Sequence, residues 1–179
     1  MKMYRFPILF CALFSLFAVS QEKKAGPIIE NYGEVFVVEN PDYKTNVNEE
    51  FKVVFDVATG PDSHEEINKS IETAARFLNM HAQNGVPASQ LKAALIIHGT
   101  ATTNIVTNEA HKKRFGVDNP NANMLQSLMD AGVEVILCGQ SSKSRHVPKE
   151  DLIPGEKIAL SAMTALIQLQ NDGYRLMKL

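Results

Sequence analysis

The chain has 179 residues, 45% of them hydrophobic, with 18 Lys and Arg against 20 Asp and Glu. This is the composition of a globular protein and the length of one modest domain, which excludes disordered and collagen-like chains. A formal net charge of −2 gives no broad cationic surface to neutralise phosphates, so nucleic acid is not an expected partner. With 10 Gly, 8 Pro, no Trp and no self-similar period, neither a repeat array nor a low-complexity segment is present, and function must come from a local site.

Residues 1 to 20 stand apart. Lys2 and Arg5 precede an apolar run from Ile8 to Val19, and Ala18-Val19-Ser20 places small residues where a cleavage site before Gln21 needs them. This is the pattern of a secretory signal peptide, the alternative being an uncleaved anchor, so the expected mature protein is exported, periplasmic or extracellular, and outside the membrane after cleavage. No later stretch approaches about 20 uninterrupted apolar residues. A lipoprotein reading through Cys11 is disfavoured, because Ile8-Leu9-Phe10 lacks the small residues expected before a lipidated cysteine. Cleavage leaves 16 basic against 20 acidic residues and a formal charge of −4. It also leaves a single cysteine, Cys138, in a compartment where paired cysteines become disulfides. That thiol is buried and inert, bridged to another chain, or used chemically.

Residues 21 to 50 mix Gly26-Pro27, Gly33 and Asn40-Pro41 around the stretch Val35 to Val38, and predict an extended leader with an edge strand. The main domain is expected from residue 51 to 179. Phe51-Lys-Val-Val-Phe-Asp-Val57 is a β-rich run closed by Thr59-Gly60-Pro61. Asp62 or Ser63 is the expected cap of a following helix, with Glu65 and Glu66 in its first turn, where the helix dipole favours negative charge. Ile67, Ile71, Ala74, Ala75 and Leu78 form the apolar stripe of that helix, and Asn84-Gly85 with Pro87 stops it. Leu91 to His98 contains an uninterrupted Ala-Ala-Leu-Ile-Ile run, the pattern of a strand buried on both faces.

Helices are predicted around Thr107 to Phe115 and Ala122 to Ala131, separated by the turn-rich Gly116 to Pro120. Gly132 releases the chain into a strand over Val133 to Cys138. A polar loop follows, then a short strand at Lys157 to Leu160, a helix over Ser161 to Asn171 and a last strand over Tyr174 to Leu179. Such alternation predicts an α/β fold: a three-layer sandwich with a mostly parallel sheet of about five strands, in the flavodoxin-like topology class.

Ligands of open parallel sheets bind beyond the carboxyl ends of the strands. The residues there are Ala58 to Ser63, His98-Gly99-Thr100, Cys138-Gly139-Gln140-Ser141 and Ser161. Cys138 and His98 are therefore expected on one rim. A thiol at a strand end, followed by Gly139 and a polar loop with free N–H groups, is placed where a thiolate is stabilised and reached, with Lys143, Arg145 and His146 adding positive potential. The competing reading is a small apolar residue closing a core strand. His98 is either a catalytic base or a histidine bonded to a backbone carbonyl. Cys138 to Ser141 also matches C-x-x-S, but that motif should open a long helix early in its domain, and here a late polar loop is expected.

The other histidines, at 64, 81, 111 and 146, have no metal-ligand spacing, and no metal is expected. G-x-x-x-x-G-K-S/T, G-x-G-x-x-G and G-x-S-x-G are all absent, so no cofactor is expected either. Gly60 to Glu65 offers a small-anion site at a helix N-terminus, although its two glutamates favour a plain capped helix.

The order Phe-Lys-Val-Val-Phe-Asp-Val57, then Leu95-Ile-Ile-His-Gly99, then Gly132-Val-Glu-Val-Ile-Leu-Cys-Gly-Gln-Ser141 resembles the DsrE/DsrF-like family of sulfur-handling proteins, in particular its signal-peptide-bearing branch. The resemblance spans roughly residues 51 to 179, and its most specific part is the strand ending in Cys138. It implies a small α/β sandwich that assembles as a trimer or hexamer with the strand-end cysteine near a subunit interface. In relay members that cysteine carries sulfane sulfur as a persulfide and passes it to a partner thiol. Only Cys138 maps from the family. The relay members are cytoplasmic, so an exported version needs a different donor. Persulfide chemistry on one cysteine also needs an external thiol or another subunit to resolve it.

The expectation is thus an exported homo-oligomer that binds or transfers sulfane sulfur on Cys138. His98 tunes the thiol, and Gly139, Gln140 and Ser141 contact the substrate. The alternative is a non-catalytic oligomeric binding module with a structural cysteine.

Overall fold

The structure is a computed structural model, described over residues 22–179. The signal peptide reading of residues 1 to 20, with Cys11, lies outside the described residues. The described residues form seven strands: β1 Lys23–Lys24, β2 Val35–Phe36, β3 Phe51–Val57, β4 Leu91–Ile97, β5 Glu134–Cys138, β6 Lys157–Ala159 and β7 Arg175–Lys178. Five α-helices join them: α1 Lys69–Gln83, α2 Asn108–Phe115, α3 Ala122–Asp130, α4 Gly139–Ser144 and α5 Ala162–Asn171. Strands β3 to β7 make one parallel sheet in the order β6-β5-β4-β3-β7. This is the expected mostly parallel five-stranded α/β architecture.

The order explains the layers. From β3 the chain steps sideways to β4, β5 and β6, so right-handed crossovers keep its helices on one face. The return from β6 at one edge to β7 at the other reverses direction and puts α5 on the opposite face. Side-chain alternation in the strands divides the core accordingly. Val53, Phe55, Val57, Ala93, Leu95, Ile97, Val135 and Leu137 pack with α1 and α3 in a large cluster. Val54, Ala94, Ile96 and Cys138 pack with Ala162, Ala165 and Leu169 of α5 in a smaller one. The central strand β4 is buried on both faces, as its uninterrupted apolar run requires.

Three local expectations are corrected. The first long helix is capped by Asn68, whose side chain accepts from the N–H groups of Ser70 and Ile71, and not by Asp62 or Ser63. Glu65, Glu66 and Ile67 lie before it, and Glu72 is the acid of its first turn. The cap is chosen by tertiary bonding. The Asn68 N–H donates to Asn121 Oδ1 at 2.7 Å and Asn68 Nδ2 donates to Asn104 Oδ1 at 2.9 Å. With no helix beginning at Gly60 to Glu65, the anion site read there has no helix N-terminus to form it. Finally, the polar segment after Cys138 is the helix α4 and not a loop.

The leader is docked. Val35–Phe36 pair with Lys23–Lys24 and do not join the main sheet. The buried side chain of Asn79 on α1 binds the leader backbone, with Oδ1 accepting from the Ile29 N–H at 2.9 Å and the Ile28 N–H at 3.3 Å. Its Nδ2 donates to the carbonyls of Ile29, Tyr32 and Gly33.

Candidate functional site around Cys138

The register defines the site. Ile97 pairs with Leu137 across β4 and β5, so the next residues, His98 and Cys138, are neighbours one position beyond. Cys138 in turn pairs with Ala159 of β6. Alternation directs Cys138 to the α5 face, and puts His98 and Asp56, at even positions of their strands, on that same face. His98 directly follows β4, the strand between the other two. Its backbone N–H still bonds the Val57 carbonyl at 3.0 Å, which keeps it aligned with the sheet.

The three side chains are not all in contact. His98 Nε2 lies 2.8 Å from Asp56 Oδ1, with both side chains partly exposed. No hydrogen bond joins His98 to Cys138 among the described residues. Neither sequence-based reading of His98 included a carboxylate partner. Asp56 was missed, although a signal exists: it is an acid near the end of an otherwise apolar, β-rich run, on the same alternation as Val54.

Cys138 is a free thiol, 6% exposed, and immediately precedes α4. Burial is the largest influence on it and raises its pKa. The N–H groups of Ser141, Ala162 and Gln140, with the Ser141 hydroxyl, together outweigh burial and hold it below the ordinary thiol value. The start of α5, which supplies Ala162, therefore belongs to the thiol's surroundings. That contribution was not legible locally, because Ala162 is 24 positions away and reaches the rim only through the β6–β5 pairing.

The loops at this rim are bonded to one another. The Gly99 N–H donates to Ser141 Oγ at 3.2 Å, and the Gly60 N–H donates to Thr100 Oγ1 at 3.0 Å. Gly99 adopts φ +56°, and a Cβ there would lie 2.4 Å from the Ala58 carbonyl oxygen, so the turn after His98 accepts no side chain. Gly139 has a similar constraint from close approach, since its Cβ would lie 2.6 Å from the Ala159 carbonyl oxygen. Gln140 is exposed, and its Nε2 donates to the Leu160 carbonyl at 3.2 Å. The residues singled out from sequence thus gather at one rim. Gly139 has a packing reason to be there, and Ser141 links the thiol to the His98 loop.

Two open grooves lie on the surface. One of about 600 Å³ runs between α5 and the β6 edge, lined by Glu134, Ile136, Lys157, Ala159, Ala165 and Leu169. Another of about 500 Å³ is lined by Thr59 to Pro61 and Glu66 to Ser70. Cys138 lines neither. Among the described residues no group of three or more His, Cys, Asp or Glu side chains is arranged to hold a metal ion. No described helix is long and apolar enough to cross a membrane.

Comparison with known proteins bears on the fold. No curated protein matches the sequence. The solved structure of a protein of unknown function from Methanobacterium thermoautotrophicum superposes with a TM-score of 0.54 at 13% identity, covering 73% of this chain and all of the other. The crystal structure of the ychN protein from E. coli superposes with a TM-score of 0.53 at 20% identity, covering 72% of this chain and 99% of that one. Similarity at these identities speaks to architecture alone. The sequence itself matches the model of the DsrE/DsrF-like family over residues 52–179, which includes every strand of the main sheet except the first residue of β3. The chain belongs to the DsrE/DsrF-like family.

Proposed function

We propose that this chain is an exported DsrE-like homo-oligomer that accepts sulfane sulfur as a persulfide on Cys138 and passes it to an external thiol. The observation carrying this reading is the environment of Cys138. It is a free thiol at the carboxyl end of a parallel strand, held below the ordinary thiol pKa by N–H groups converging from α4 and the start of α5. A thiolate is the nucleophile such chemistry needs. Family membership supports a role connected with sulfur relay.

A trimer or hexamer is supported by a bare apolar stripe beside the thiol. Leu160 and Met163 are each 73% exposed and Ile167 is 58% exposed. Leu160 lies just before α5 and Met163 and Ile167 on its exposed side, a surface suited to a second copy of the chain. Sedimentation of the purified protein reads the subunit number.

The burial of Cys138 favours a second reading, an oligomeric binding module with a structural cysteine. One experiment separates the two. The alkylation rate of folded protein is measured against pH, and mass is recorded before and after exposure to polysulfide. A carrier gives an apparent thiol pKa below the ordinary value of about 8.5 and a product one sulfur atom heavier, absent from Cys138→Ser. A thiol that reacts only after unfolding overturns the carrier reading.

A further inference from the structure

We infer that Asp56 and His98 form the proton-handling half of the Cys138 site, with His98 protonating the thiol that leaves when sulfur is transferred and Asp56 positioning the imidazole. This rests on the carrier reading of Cys138. The observation behind it is the placement on three adjacent strands: Asp56 near the end of β3, His98 directly after β4 and Cys138 at the end of β5, with strand alternation putting all three on the α5 face and the Asp56–His98 hydrogen bond spanning a two-residue offset in register.

The hydrogen bonds divide the work. Cys138 takes its stabilisation from α4 and α5 N–H groups and has no bond to His98. The imidazole is committed through Nε2 to Asp56 at 2.8 Å. A carboxylate only accepts, so Nε2 carries the proton in that bond and Nδ1 is the nitrogen left for reaction. Nδ1 has no hydrogen-bond partner among the described residues. Histidine and thiol thus follow a paired position of adjacent strands without being joined by a hydrogen bond.

Lys178 of β7 pairs with Asp56 in the sheet, Lys143 lies on α4, and Asp62 follows the β3 loop. Helix α5, from Ala162 to Asn171, carries no charged side chain. Among the described residues Asp56 is the one group bonded to the imidazole.

The step balances without an added oxidant. The Cys138 thiolate attacks the terminal sulfur of an alkyl persulfide RSSH and forms a new S–S bond. The donor's own S–S bond breaks, and RS⁻ departs with its electron pair. The His98 imidazolium gives its Nδ1 proton to RS⁻, and the neutral imidazole is reprotonated by the proton that Cys138 released. The net change is Cys–SH + RSSH → Cys–SSH + RSH.

Alkylation by iodoacetamide supplies the control, because its iodide leaves without a proton. The purified protein and its variants His98→Gln, Asp56→Asn and Asp56→Glu are compared for alkylation and for sulfur uptake from glutathione persulfide, after urea unfolding has shown each to be folded. His98→Gln should slow sulfur uptake about 100-fold, and Asp56→Asn at least about tenfold. Asp56→Glu should restore part of that loss, and alkylation should change less than about twofold in all three. Equal losses in both reactions would make the pair a structural support of the thiol and overturn the inference. Unchanged uptake would overturn it as well. If the unaltered protein is alkylated readily but takes up no sulfur, the carrier reading itself fails and the inference falls with it.

Discussion

Glu156, on the turn entering β6, allows a stability prediction with a definite sign. Its side chain is 2% exposed, and neither carboxylate oxygen has a hydrogen-bond partner. Burial is the dominant effect and pushes its pKa up from 4.5 to about 9, against weaker opposing pulls from the Ile153 backbone and the charge of Lys149. Lys149 Nζ donates to the Glu156 backbone carbonyl and so does not neutralise the carboxylate directly. Between those two values the folded chain holds a proton that the unfolded chain has released, so stability falls as pH rises through this window. At pH 7, about 2.5 pH units above the unfolded value, the penalty is roughly 3 kcal/mol at about 1.4 kcal/mol per unit. Glu156→Gln keeps the shape and removes the titration. Urea unfolding of both proteins from pH 5 to pH 8 should show the variant's advantage rising from under about 1 kcal/mol at pH 5 to roughly 3 kcal/mol at pH 7. An advantage constant across this range would refute the assignment of a neutral, buried Glu156.

Two further substitutions test the leader and the thiol. Asn79→Ala removes every side-chain bond that α1 makes through this residue to the backbone of residues 28–33. It should cost about 2–4 kcal/mol and speed proteolysis within the leader, and unchanged proteolysis with a loss under about 1 kcal/mol would show that the leader docks by other means. Ser141→Ala removes a hydroxyl that favours the Cys138 thiolate and accepts from the Gly99 N–H. The pH profile of Cys138 alkylation should therefore move to higher pH, and an unmoved profile would leave the backbone N–H groups alone responsible.

Much of this protein is written in local pattern. The 2-residue alternation and buried runs of Phe51 to Val57, Leu91 to Ile97 and Val133 to Cys138, and the helical stripe from Ile71 to Leu78, depend only on which residues face a core, so element types and class follow from sequence. The strand-end positions of His98 and Cys138 follow for the same reason. Helix starts were less legible, because Asp62, Ser63 and Asn68 are all competent caps and the choice fell to Asn68 through side chains from Asn104 and Asn121. Helix α4 escaped because Gly139 to Ser144 has no apolar period. Its single buried residue, Ser142, is tied through its hydroxyl to the Val147 carbonyl at 2.7 Å.

Strand order, register and the choice of sheet face belong to the tertiary structure alone, since they are set by pairings between residues some 40 positions apart. Sequence determined that an acid, a histidine and a cysteine stand near strand ends. Only the parallel pairing of β3, β4 and β5, with α5 closing the same face, decided that they gather on one face at one rim. Local periodicity records what each residue is buried against, and contains nothing about which strand becomes its neighbour.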